Sequence, residues 1–245
     1  MATEIKEVDE RALKELEEEL TELANAQFES EAYKHMFSVP FSLRGCQEFF
    51  KQHSLFNLNR RDCWGYVQAK APMPVKHFVW DHETEELDGV PSRGGLNHYE
   101  LAVKQGEAWG LAPEDYYNTE PSDGTFTACQ AWIALSQNSP WRVSFAASSA
   151  LEYANSDDIV RGGGMSRRLG RKLERELGIP MRKQVSNEEH TVAEVEHAQM
   201  LLRAAKLFGR TPQDRAEILE GAKKTWAIDR TFRKSLGDLL ETYAD

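Results

Sequence analysis

Residues 188–199, EEHTVAEVEHAQ, set His190, Glu194 and His197 at spacings of four and three. In an α-helix such positions share one face, so two imidazoles and a carboxylate would project together. The same stripe continues as Leu201, Ala204 or Ala205, and Phe208, which reads as core-facing. Ionisable groups on such a stripe are costly unless they are paired or bind a metal ion. The bland alternative is an exposed helix end with surface His–Glu pairs.

Other segments place the same residue types on apolar faces. In SPWRVSFAASSALEYAN, Glu152 is the only acid between Trp141 and Tyr153 and shares a stripe with Trp141, Phe145 and Ser148. In LNHYELAVKQGEAWGL, His98 shares a face with Leu101, Ala102, Gln105 and Trp109. In VKHFVWDHETEELDG, Val75 and Val79 lead to His82 or Glu83, and then to Glu86. Glu85 points about 100° away from Glu86 and is expected to be the weaker candidate. Glu86, His98, Glu152, His190, Glu194 and His197 therefore supply three imidazoles and three carboxylates from four helices. That donor set suits iron or manganese, and the absence of cysteine donors disfavours structural zinc. Helical bundles build such sites from inward side chains of facing helices.

The elements that must position these side chains read almost throughout at helical period. Residues 9–29 form an amphipathic helix along Leu13, Leu16, Leu20, Leu23 and Phe28. Helices are expected at about 43–54, 58–88 with a break near APMP, 96–110, from Pro113, and 123–137. Others follow at about 140–155, 165–177, 187–209 and 212–243. Proline removes a helical donor and restricts the residue before it. Gly89, Gly110, Gly178 and Gly209 fall where helix C-caps would. No stretch shows strand alternation. The expectation is a single all-α domain over 1–245, a helical bundle whose residues 1–30 carry an N-terminal amphipathic surface helix.

Composition narrows the function classes. The 245 residues are 40% hydrophobic and 10% aromatic, as in a folded globular chain. A net charge of −10 argues against nucleic-acid binding, and the basic stretch Arg161–Lys183 reads as a solvated helix face. No apolar run approaches the roughly 20 residues of a membrane span, and the charged start does not resemble a signal peptide. Three cysteines (Cys46, Cys63 and Cys129), without metal-type spacing, point to a reducing, cytoplasmic setting.

The pattern resembles the heme-oxygenase-like diiron oxidases and oxygenases, relatives of the thiaminase-II and pyrroloquinoline-quinone-synthase fold. The closing His-x-x-x-(Asp/Glu)-x-x-His is met by His190, Glu194 and His197, SALEYAN resembles the mid-chain Glu helix, and HYELAVKQGEAWGL resembles the His helix. The resemblance spans about residues 60–210. LDGVPSRGGLN makes the Glu86–His98 gap longer than in typical members, and the Glu152–His190 stretch adds a basic helix. The resemblance implies a heme-oxygenase-like bundle holding two Fe ions, with O2 as co-substrate. It implies oxidation of a small carboxylate-bearing molecule, an amino acid or derivative, in specialised metabolism. Desaturation, C–C cleavage, and nitrile or N-oxygenated products are the outcomes known in the family. A buried cation would hold the substrate carboxylate, and Arg142, Arg161 and Lys183 are the candidates. Neither a nucleic-acid nor a membrane partner is expected, and a homodimer is compatible with this reading. Two rivals keep the fold. One is a metal-independent thiaminase-like enzyme, for which Cys129 is the only cysteine placed to attack. The other is a non-enzymatic interaction protein using the acidic N-terminal helix and the basic segment.

Overall fold

The computed structural model describes residues 9–244, without the side chains of Arg93, Val192, Glu194, Val195 and Glu196. The described residues form eleven α-helices and no strand. In chain order these are α1 (Glu10–Phe28), α2 (Glu31–Ser38), α3 (Leu43–Lys70), α4 (Met73–Asp88), α5 (His98–Gln105) and α6 (Pro113–Tyr117). They continue as α7 (Asp123–Asn138), α8 (Trp141–Tyr153), α9 (Met165–Leu177), α10 (Val185–Phe208) and α11 (Pro212–Thr242). None is long and apolar enough to cross a membrane.

The fold class follows the helical periodicity, and two elements depart from it. One helix, α3, runs unbroken through 54–58, joining the helices expected at about 43–54 and from 58. Polar side chains of this stretch find backbone partners: Ser54 donates to the Lys51 carbonyl at 2.7 Å, and the adjoining Asn59 to the Cys129 carbonyl at 3.3 Å. The chain breaks at Ala71–Pro72, and Pro74 occupies the first turn of α4. The other departure is α2, which begins after Ser30 and brings Tyr33 into the interior.

The most extensive helix–helix contact is where α8 lies along α11. A Cβ on Gly221 would stand 2.2 Å from the Val143 carbonyl oxygen, so only glycine permits this approach. Ala146, Ala150 and Ala222 fill the seam with Leu16, Leu20 and Trp226, and Trp226 donates to the Ala150 carbonyl at 3.0 Å. Buried on nearly every side, α8 carries Glu152 into the centre at its last turn. Leu16, Leu20 and Ala24 bury the apolar face of α1 on the same seam.

Candidate metal centre

On one side, α4 delivers His82 and Glu86 one turn apart, both buried on the stripe of Val75 and Val79. The helix stops at Gly89, whose φ is +70° and whose added Cβ would meet the Leu96 carbonyl oxygen at 2.4 Å. That turn folds the chain back on itself. Asn97 then caps α5 reciprocally with Glu100, at 2.8 and 3.0 Å, as in a capping box. His98 is thereby fixed in the first turn of α5, with Nδ1 2.8 Å from Glu86 Oε1.

A pair of arginines on α3 holds the acids. Arg60, 3% exposed, donates Nη2 to Glu152 Oε1 at 3.0 Å and to the Ser148 carbonyl at 2.6 Å. Arg61 lies 2.6 Å from Glu86 and 3.1 Å from Glu83, as an ion pair without directed hydrogen-bond geometry. Burial alone would raise the Glu86 pKa, yet Arg61 and then His98 hold it well below the usual carboxylate range.

The opposite wall is α10. His190 Nδ1 lies 2.7 Å from the Ser186 carbonyl. A carbonyl only accepts, so Nδ1 carries the proton and Nε2 keeps its lone pair. Burial, then the neighbouring His98, lowers the His190 pKa to about 4. Its ring stands 4.6 Å from His98, and His197 stands 4.6 Å from His82. His197 Nε2 points to Glu85 Oε2 at 3.4 Å. Burial opposes protonation of His197, but Glu85, Glu152 and Glu86 raise its pKa on balance. The side chain of Glu194 lies outside the described residues.

The structure thus brings Glu86, His98, Glu152, His190 and His197 together. It adds His82, which the stripe reading left as an alternative to Glu83, and Arg60 and Arg61, which that reading missed. The missed signal was Arg60 itself, on a stripe with Phe56, Trp64 and Val67, the pattern that singled out Glu152. Glu85 is half-exposed, as helical phase requires, but it is not idle, because α10 approaches from its side.

The lone pairs show what the cluster can bind. His82 Nδ1 lies 3.0 Å from Glu83, which leaves Nε2 as the inward-facing nitrogen. It faces Glu86 and Glu152 oxygens at 3.8 Å each and has no hydrogen-bond partner among the described residues. His197 Nδ1 is equally unpartnered, 3.8 Å from Glu86. Such distances exceed a hydrogen bond. Donor atoms of His82, Glu152 and His197 all lie within 4.8 Å of one another. Bonds of about 2.0–2.2 Å to one central ion place such donors roughly 3–4 Å apart, so these residues fit a metal ion after small rotamer adjustments.

A cavity of about 80 Å3 adjoins the cluster, bounded by Glu86, His98, Glu152 and His190. One water needs roughly 10–15 Å3 on this measure, so there is room for a small molecule. The three cations expected to anchor a substrate are elsewhere. Arg142 sits at the far end of α8, paired with Asp214 at 2.9 Å and Glu217 at 3.4 Å. Arg161 pairs with Glu22 at the surface, and Lys183 is exposed. Cys129 is no activated nucleophile, because burial pushes its thiol up to about 11.

Solved proteins share this architecture at low identity. A CADD-like protein of unknown function from Nostoc punctiforme aligns over 96% of this chain and 98% of its own, with TM-score 0.72 and 18% identity. A domain of unknown function with a heme oxygenase-like fold from Shewanella denitrificans reaches 0.71 over 94% and 93%, at 14% identity. A TenA homolog from Pseudomonas syringae reaches 0.65 over 92% of each chain, at 15% identity. These likenesses define the class as an all-helical, heme oxygenase-like fold. No curated protein matches the sequence. The family is set by residues 47–230, which match the family model described as iron-containing redox enzyme. The chain belongs to that family.

Proposed function

We propose that this protein is an O2-dependent, non-heme diiron oxidase or oxygenase acting on a small carboxylate-bearing molecule, such as an amino acid or derivative. The observation that carries the reading is the facing set of His82 Nε2, His197 Nδ1 and the Glu86 and Glu152 oxygens, in which neither nitrogen has a hydrogen-bond partner among the described residues. His82, Glu152 and His197 form one donor group. Glu86, His98 and His190 form the other, with Glu194 assigned beside them by its place in the closing motif. Bound iron would supply O2-dependent oxidation of the substrate. The chain's own contribution is to fix the donors. The Ser186 carbonyl sets the His190 tautomer, and Glu83 and Glu85 orient His82 and His197, the outer contacts that hold metal-ligating imidazoles in place. Membership of an iron-containing redox family supports the metal assignment.

The test is an anaerobic Fe(II) titration of metal-free protein, followed by exposure to O2. About two equivalents should bind, with an O2-dependent absorbance change. His82→Ala and His190→Ala should each remove about one equivalent, since each disables one group. No saturable binding in the wild type would overturn the proposal.

A further inference from the structure

The cavity beside the cluster holds a second polar feature that the metal reading does not use. Arg233, on α11, lines the cavity and is 5% exposed. Its Nε donates to Asp229 Oδ1 at 3.0 Å, and Tyr33 donates its hydroxyl to the same carboxylate. Arg233 Nη1 is buried without a hydrogen-bond partner among the described residues. An unmatched guanidinium N–H is expensive to bury, and chains keep such groups where a ligand completes them. The Arg233 and Arg60 guanidiniums lie 5.7 and 5.9 Å from the Phe56 ring centroid, so one aromatic side chain links this feature to the Glu152 holder. His53, in the same wall, is kept uncharged by burial and then by Arg233 and His190. Between these groups the wall is mixed: Phe50, Leu151, Met165 and Leu169 alternate with Asn57, Gln105, Asn155 and Ser166.

We propose that the Arg233 guanidinium is an anion subsite that holds the carboxylate of a small monocarboxylate whose body lies along Phe56 toward the His–Glu cluster. The inference deepens the oxidase reading and rests on it for the fate of the substrate. A guanidinium N–H matches a carboxylate oxygen in geometry and charge. The Arg233 charge is already shared with Asp229, which suits a monoanion better than a phosphate dianion.

The experiment uses metal-free protein and a panel of butyrate, hexanoate, benzoate and 3-phenylpropionate, each against its own primary amide. Binding is read by calorimetry and by tryptophan fluorescence, since Trp109 stacks on the cavity-lining Phe50 at 4.4 Å. At least one carboxylate should bind roughly 10- to 100-fold tighter than its amide, the range for a hydrogen bond to a charged group. Arg233→Gln should bring the acid down to the level of its amide while leaving the Fe(II) titration as in the wild type. Should that variant fail to fold, Arg233→Lys keeps a cation beside Asp229 but lacks Nη1, and should lose most of the preference. Equal binding of acid and amide across the wild-type panel overturns the subsite, as does a preference that survives undiminished in Arg233→Lys. Because binding is read without iron, carboxylate preference with no iron uptake would overturn the diiron reading alone. Iron uptake without preference would overturn the subsite alone.

Discussion

Replacing Glu86 by glutamine separates a metal-poised cluster from an ordinary surface ion pair. Glu86 is buried, 2.6 Å from Arg61 and 2.8 Å from His98 Nδ1, with two further imidazoles at 3.8 Å. The isosteric amide keeps one acceptor but removes the charge that both partners face. Breaking a buried ion pair from one side typically costs about 3–5 kcal/mol. Glutamine retains part of the hydrogen bonding, so about 3 kcal/mol is expected for the metal-free protein. In a chain of this size that lowers Tm by about 6–12 °C. Glu85→Gln is the matched control: its side chain is 37% exposed and meets His197 at 3.4 Å, so the change should stay below about 1 kcal/mol. Urea unfolding of metal-free protein, with a thermal scan repeated after anaerobic Fe(II) addition, measures both. Glu86→Gln should also lose most of the Fe(II)-induced rise in Tm. A Glu86→Gln variant within about 0.5 kcal/mol of wild type, with a full Fe(II) response, would refute the placement of Glu86 at the centre.

Two other expectations follow from the same geometry. Arg61→Met removes the cation that competes for Glu86, so it should tighten Fe(II) binding about tenfold or more while lowering metal-free stability; weaker Fe(II) binding in a folded variant would contradict the competition. A Cys129 thiol pushed up to about 11 leaves roughly one molecule in a thousand as thiolate at pH 8, so iodoacetamide at that pH should label native protein slowly and unfolded protein fast. Rapid stoichiometric labelling of Cys129 would revive the cysteine-nucleophile rival.

The helices were legible because their signals are local. Apolar period, first-turn prolines and terminal glycines each act within a few residues, and the order from α7 to α11 is readable from them. The continuity of α3 was not, because the partners that accommodate its polar residues include other elements: Asn59 reaches the Cys129 carbonyl on α7. The eight residues of α2 offer too few turns for a period to show. In the site, stripe logic placed Glu86 and Glu152 in the interior, since both sit on faces defined by buried neighbours of their own helices. It could not find the role of Glu85, because helical phase reports the direction away from the helix axis and not which neighbour waits there. Nor could it select among arginines. Arg142, on the Glu152 helix, was attractive by proximity in sequence, but about ten residues along a helix are about 15 Å, and Arg142 pairs with the first turns of α11 instead.

Arg60 and Arg61 also offset the charge of the buried acids. Unpaired buried carboxylates would be prohibitive, and two neighbouring guanidiniums from a single helix satisfy Glu152 and Glu86 from the α3 side. Native interiors leave few buried polar atoms unmatched, yet His82 Nε2 and His197 Nδ1 face carboxylate oxygens across 3.8 Å, and neither nitrogen has a hydrogen-bond partner among the described residues. Each of these imidazoles uses its other nitrogen on an outlying glutamate, Glu83 or Glu85, so the outer contacts hold the second nitrogens inward. Acids held by guanidiniums from one side, and imidazole nitrogens facing those acids without a hydrogen-bond partner, form a charge arrangement that suits a cation.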